Sequence, residues 1–215
     1  MLDRSGRLLV VMDVDSTVIE QEVIELIAAR AGVEEQVRSI TEAAMRGELD
    51  FAASLRARVA LLKGLPVTVL DDVRAEVRFT PGAKELCTTL LNRGDLVALV
   101  SGGFDTVVAS LAESLGIAHF RANALETADG FLTGRIAGPI VDKEAKASTL
   151  RSLAVEHGIP LSRTVAVGDG ANDLDMMRIA ALGIAFNAKP IVQQQADVSI
   201  NVPDLRLVLR EIDQA

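Results

Sequence analysis

Short apolar runs and helical repeats alternate along most of this chain. Residues 7–13 (RLLVVMD) form an apolar run closed by a polar residue, as a strand buried on both faces requires. Residues 95–103 (DLVALVSGG) and 164–170 (TVAVGDG) repeat that pattern, and 182–188 and 196–200 are weaker versions of it. Between them, helical periodicity predicts helices over 82–92, 106–114, 143–156 and 172–180. Gly94, Gly116 and Gly158 stand just past three of these helices, where a left-handed residue ends a helix at low cost. Strands alternating with helices imply βαβ units and a Rossmann-like, doubly wound parallel α/β sheet.

Two stretches break the alternation. From Glu20 to Phe79 no strand pattern occurs. Four helical segments (21–30, 34–46, 51–62 and 67–76) are separated by Gly32, Gly47, Gly64 and Pro66. This predicts a helical bundle, residues 20–79, inserted after the first strand as a cap over a core made of 1–19 and 80–215. The second break, residues 122–138, carries Asp129-Gly130 between alternating segments and predicts a β-hairpin.

Composition narrows the partners. The 215 residues are 49% hydrophobic and 24% charged, an ordinary globular balance. A net charge of −8 repels nucleic acid and anionic lipid over the general surface. The absence of Trp and Tyr removes the usual platforms for stacking bases. One cysteine excludes an internal disulfide framework and a cysteine-based zinc site. The early apolar run, Leu8 to Met12, is too short to span a membrane or to serve as a signal-peptide core. The expectation is a cytoplasmic enzyme or binding domain for a small molecule, with no nucleic-acid or membrane partner.

Ligands of open α/β sheets bind beyond the carboxyl ends of the strands, and here three strands end in reactive residues. The first ends in Asp13-Val14-Asp15-Ser16-Thr17, the second in Ser101-Gly102-Gly103, and the third in Gly168-Asp169-Gly170-Ala171-Asn172-Asp173. Asp13 and Asp15, two apart on extended backbone, point to one side. With Asp169 and Asp173 they gather carboxylates that repel one another and call for a cation. Oxygen ligands without His or Cys point to a hard ion, Mg²⁺ first. Ser101 offers a hydroxyl, Gly102 and Gly103 let backbone N–H groups approach an anion, and Lys146 adds positive charge. Any one of these is commonplace: a polar strand end, a turn, a helix cap, a solvated lysine. In this order on successive strand ends they describe a phosphoryl-transfer site.

The set DVDST (Asp13 to Thr17), Ser101, Lys146 and GDGAND (Gly168 to Asp173) resembles the haloacid dehalogenase superfamily, in its phosphatase branch with a helical cap. Within it the chain resembles the phosphoserine phosphatase family from end to end, through DVDSTVIEQEVIE, AAMRGELDFAASLRARVALLKGLP, VSGGF and GDGANDLDMM. Ala147 stands where that family often has Gly. A first strand starting by Arg7 leads to the expectation of no regulatory domain ahead of the catalytic one.

The resemblance implies roles. Asp13 is the expected nucleophile and Asp15 the expected acid and base. Mg²⁺ would be held by the Asp13 and Asp169 side chains and the Asp15 carbonyl, with Asp173 acting through bound water. Ser101, the Gly102 amide and Lys146 would hold phosphoryl oxygens, with Asn172 nearby. In the cap, Arg58 matches the position for a substrate carboxylate and Glu22 that for an ammonium, and Met45 and Phe51 match apolar closing positions. The implied substrate is O-phosphoserine. Read without the family, Glu22 and Arg58 are solvated helix charges and Met45 and Phe51 are bundle core.

Other readings compete. A related phosphatase, or a phosphotransferase passing phosphate to homoserine, would carry the same core residues. A receiver-type signalling domain also places a phosphorylated Asp, a Ser/Thr and a Lys on an α/β sheet. Asp15 beside Asp13, and the inserted helices, argue against it. A non-catalytic nucleotide binder lacks its GxGxxG after the first strand.

Overall fold

The structure, a computed structural model, describes residues 1–45 and 48–215, with Met45 described by its backbone alone. Seven strands form one sheet: β1 (Leu9–Met12), β2 (Leu96–Phe104), β3 (His119–Ala128), β4 (Phe131–Ala137), β5 (Thr164–Gly168), β6 (Leu182–Phe186) and β7 (Val198–Ile200). Their order is β4-β3-β2-β1-β5-β6-β7, and only β4 runs antiparallel to its neighbour. The sheet expected from the apolar runs is therefore present. Helices α5 (Ala83–Asn92), α6 (Asp105–Leu115), α7 (Lys143–Glu156), α8 (Leu174–Ile179), α9 (Pro190–Gln193) and α10 (Arg206–Gln214) cover its faces.

Alternation along each strand divides the core in two. Val10 and Met12 of β1 pack with Leu86 and Leu90 of α5, Val108 of α6 and Val208 of α10. Leu9 and Val11 pack on the other face with Leu150 of α7, Met176 of α8 and Val192 of α9. Both faces are covered, which is why these strands read as unbroken apolar runs.

β1 sits at the centre, with β2 on one side and β5 on the other. The strand order reverses there, so a crevice opens beyond the carboxyl ends of β1, β2 and β5. After β1 the chain makes α1 (Val23–Ala31), α2 (Glu34–Met45), α3 (Phe51–Ala60) and α4 (Val69–Glu76) before α5. The segments leading into and out of these helices pair through a single bridge: Glu20 N–H donates to the Arg78 carbonyl at 3.0 Å and Thr80 N–H to the Val18 carbonyl at 3.0 Å. The β3–β4 hairpin turns at Asp129 and Gly130, both at positive φ (51° and 82°), as an Asp-Gly turn that follows strand twist requires. It reaches the same helical segment, since Gly64 N–H donates to the Leu132 carbonyl and Val67 N–H to the Gly130 carbonyl.

Three elements lie outside the sequence reading: β3, the four-residue α9 (Pro190–Gln193) and α10. β3 starts at His119 and pairs with β2 before the hairpin pattern begins. α10 is nine residues long and has no side-chain cap, so its local signal is short; burial of Leu205, Val208 and Ile212 holds it.

The start of the sheet also depends on one side chain. Asp95, ahead of β2, is buried and accepts the Leu8 N–H at 2.9 Å. Asp95→Ala leaves that N–H unpaired, and we expect a loss of about 1–3 kcal/mol. Urea unfolding should show a lower midpoint with an unchanged slope.

Candidate active site

β1 ends by placing Asp13 over β5: its N–H donates to the Val167 carbonyl at 2.9 Å. The chain then coils tightly through Val14–Val18, closed by Ile19 N–H donating to the Val14 carbonyl at 3.0 Å. Ser16 sits in the left-handed region there, at φ 57°. That unusual backbone sends its hydroxyl to Glu22, donating to Oε1 at 2.6 Å. Asp15, on the same coil, is half-buried, and its buried Oδ1 has no hydrogen-bond partner among the described residues. Burial, then the charges of Glu22 and Asp13, push it well above the usual carboxylate range.

The end of β2 brings bare backbone to the same place. The Ser101 hydroxyl oxygen accepts the Gly103 N–H at 2.8 Å. A Cβ at Gly103 would stand 2.5 Å from Asp15 Oδ2, and one at Gly102 would stand 2.9 Å from the Phe51 ring. Glycine is needed at 103 because the backbone runs against Asp15 itself.

Lys146 rises from the first turn of α7, which Asp142 caps by accepting the Ala145 N–H at 2.9 Å. Its ammonium is fully buried and donates to Asp13 Oδ1 and Asp173 Oδ1, each at 2.7 Å. Burial works against that charge, but the two carboxylates outweigh it and hold Lys146 protonated. Asp173 also accepts the Gly170 N–H through Oδ2, so both of its oxygens are engaged. Among the described residues Asp169 accepts only a long contact from the Thr17 hydroxyl, at 3.5 Å. Burial, with Asp13 and Asp173 alongside, pushes its carboxyl up to about 8.

One carboxylate oxygen from each of Asp13, Asp169 and Asp173 lies within 4.8 Å of the others. Two buried carboxyl groups and a half-buried one against one ammonium leave the cluster short of positive charge, and an all-oxygen donor set suits a hard divalent cation. These residues could hold one.

A cavity of about 740 Å³ opens above this cluster. Asp13, Asp15, Gly102, Asp169 and Asn172 line its floor, and Glu22, Phe51 and Arg58 line its helical side. Ser101, Lys146 and Asp173 lie fully buried beneath the floor. The Met45 side chain lies outside the described residues. Burial lowers the affinity of Arg58 for its proton, opposed by Glu22, Glu25 and Asp15, while its Nε donates to the Ser54 carbonyl at 3.3 Å.

Residues 10–178 match the haloacid dehalogenase-like hydrolase family. The chain belongs to that family. A phosphoserine phosphatase of Streptomyces coelicolor is 59% identical over 97% of this chain, and the chain spans 51% of that relative's own length. The chain thus spans about half the length of the first relatives it matches. A phosphoserine phosphatase of Streptococcus thermophilus is 52% identical, with 96% of each chain covered. A solved substrate-bound phosphoserine phosphatase complex superposes with a TM-score of 0.92 at 45% identity, over 97% of this chain and 99% of that one. Among the described residues no helix is long and apolar enough to cross a membrane.

Within this haloacid dehalogenase-like site the motif residues from β1, β2, β5 and α7 converge. Motif reading passed over the Ser16–Glu22 hydrogen bond, because a positive φ at a serine leaves no mark in sequence. Lys143, in the helix-opening stretch 141–146 whose lysines the motif reading noted without giving Lys143 a role, stands exposed at the cavity.

Repulsion within the cluster has a measurable consequence. A divalent cation (Mg²⁺ or Mn²⁺ as probe) at about 100 times its Kd stabilises a protein by about 2.7 kcal/mol. For this size that raises the thermal midpoint by roughly 5–10 °C. Asp169→Asn should abolish most of that rise, yet raise the midpoint in chelator, since the amide does not carry the cost of holding a carboxyl protonated so far above its ordinary range. Calorimetric scans with and without the cation check both signs.

Proposed function

We propose that this chain is a cytoplasmic phosphoserine phosphatase that hydrolyses O-phosphoserine to serine and phosphate with Mg²⁺. The observation that carries this reading is the sharing of one cavity by two kinds of recognition. Its floor holds Asp13, Asp15 and Asp169, and its helical side holds Arg58 and Glu22. The floor suits a phosphoryl group; the guanidinium and the carboxylate opposite suit an amino acid's carboxylate and ammonium. The names of the relatives agree with it. Residues 20–79 act as the cap in this scheme, and 1–19 with 80–215 as the catalytic core.

The chemistry follows from the residues. Asp13 attacks phosphorus, forming an acyl phosphate as the P–O bond to the seryl oxygen breaks. Asp15, placed on the cavity floor, gives its proton to that departing oxygen. With serine gone, Asp15 takes a proton from water as the water attacks the same phosphorus, releasing phosphate and restoring Asp13. Lys146 keeps Asp13 oriented and offsets its charge through their 2.7 Å contact. Ser101, the Gly102 amide and Asn172 stabilise phosphoryl oxygens. Asp13 and Asp169 would hold the Mg²⁺, with the Asp15 carbonyl and with Asp173 supporting. When bound, the ion supplies charge neutralisation for the phosphoryl oxygens and the carboxylates around them. Phe51, packed over Gly102, keeps water away from the reacting groups.

Phosphate release from phosphoserine, phosphothreonine, homoserine phosphate and an aryl phosphate, each with Mg²⁺ and with or without homoserine, tests the assignment. Phosphoserine should have the highest kcat/KM, homoserine should not divert the phosphate, and folded Asp13→Asn should show no turnover. A clear preference for another substrate would sink the phosphoserine reading.

Arg58 separates substrate class from chemistry. A charge-assisted hydrogen bond contributes about 1.5–3 kcal/mol, so Arg58→Ala should lower kcat/KM for phosphoserine about 10- to 150-fold. An aryl phosphate, which has no carboxylate, should lose far less. Equal losses on both would show that Arg58 supports the fold instead.

A further inference from the structure

Two walls of the cavity are joined by a single buried amide that does not line it. Asn123 lies on β3 and is fully buried. The β2–β3 register runs to Val100 opposite Arg121 and resumes at Phe104 opposite Asn123. Ser101, Gly102 and Gly103 thus face Ala122 alone, and the ladder is interrupted where the phosphate-binding backbone lies.

The Asn123 side chain fills that interruption. Its Nδ2 donates to the Gly102 carbonyl at 2.7 Å. Its Oδ1 accepts the Val141 N–H at 2.8 Å. Val141 directly precedes Asp142, the cap of α7, whose carbonyl accepts the Lys146 N–H at 2.9 Å. One side chain therefore connects the glycine backbone of β2 to the helix turn that carries Lys146.

The carbonyl held by Asn123 belongs to the Gly102–Gly103 peptide, whose N–H donates to Ser101 Oγ at 2.8 Å. Both polar ends of that peptide are fixed, so its plane cannot rotate. Neither glycine has a side chain that could do this. The position also demands an amide: it must donate at one end and accept at the other, and at this length only Asn offers both.

We propose that Asn123 is a positioning residue that sets the phosphate cradle, holding the Gly102–Gly103 backbone and Lys146 in fixed relation. This rests on the phosphatase reading of the same site and names what holds that site in shape.

Asn123→Asp keeps an acceptor for Val141 and replaces the donor to Gly102 with a second acceptor. Inorganic phosphate and L-serine, titrated separately into wild type and variant with Mg²⁺, read the two ends of the cavity. Phosphate affinity should fall about 10-fold or more, while serine affinity stays within about twofold. The kcat on phosphoserine and on an aryl phosphate should fall by a common factor of about 10 to 100. Asn123→Gln, with both groups one methylene farther out, should show the same pattern at a smaller loss. A purely structural role would reduce the number of competent sites and leave the ratio of the two affinities unchanged. A folded Asn123→Asp protein with the wild-type ratio overturns the proposal. If that variant does not fold, the ratio measured on Asn123→Gln decides in the same way. Wild-type protein that fails to hydrolyse phosphoserine would sink the phosphatase reading instead, and the binding ratio would still judge Asn123.

Discussion

The buried ammonium of Lys146 joins three parts of the chain that are far apart in sequence. It donates at 2.7 Å both to Asp13, beyond β1, and to Asp173, beyond β5. Removing such an ion from water costs several kcal/mol, and the two carboxylates offset that only if all three groups hold their geometry. The ends of the central strands and the first turn of α7 are therefore obliged to meet at one point. The backbone around them serves this meeting: Asp142 caps α7, Gly170 N–H steadies Asp173, and Asp13 N–H bonds to β5.

That cluster remains short of positive charge. Asp169 stands beside it with a weak hydroxyl contact, and Asp15 stands above it with an oxygen unpaired. Burial and neighbouring charges run against the ionisation of Asp15, Asp169 and Asp173, which is the arrangement that favours a divalent cation. The net charge of −8 makes the general surface acidic. The cavity floor is acidic too, so an anion there depends on a bound cation to offset Asp13 and Asp169, with Arg58 and Lys143 adding positive charge at its walls.

The helical side of the cavity is held to the sheet at two places. The paired segments at Glu20–Arg78 and Val18–Thr80 close its base, and the β3–β4 hairpin bonds to Gly64 and Val67. Arg58 and Phe51, on α3, thereby line the same cavity as Asp13 and Gly102, although α3 follows neither strand directly. Ser16 adds a third link, from the coil after β1 to Glu22 at the start of α1.

Much of this was legible in the chain itself. Strands buried on both faces read as apolar runs, so the parallel sheet and the order of its helices followed from hydrophobic pattern. The Asp-Gly turn followed from the positive φ that such hairpins demand. The clustering of Asp13, Asp15, Ser101, Asp169 and Asp173 followed because parallel strands must end on one side of a sheet. Other features depended on contacts that pattern does not encode. α10 is held by burial against α5 rather than by its own caps, and β3 joins the sheet through pairing with β2. Lys146 and Asn123 look like an ordinary helix lysine and an ordinary strand amide. Only the packed structure makes the one a buried ion between two carboxylates and the other a bridge between two backbones. Sequence determined which groups each segment carries and which way local geometry turns them. Tertiary structure decided which groups lose their water and must therefore find one another, because desolvation acts only on what the whole fold encloses.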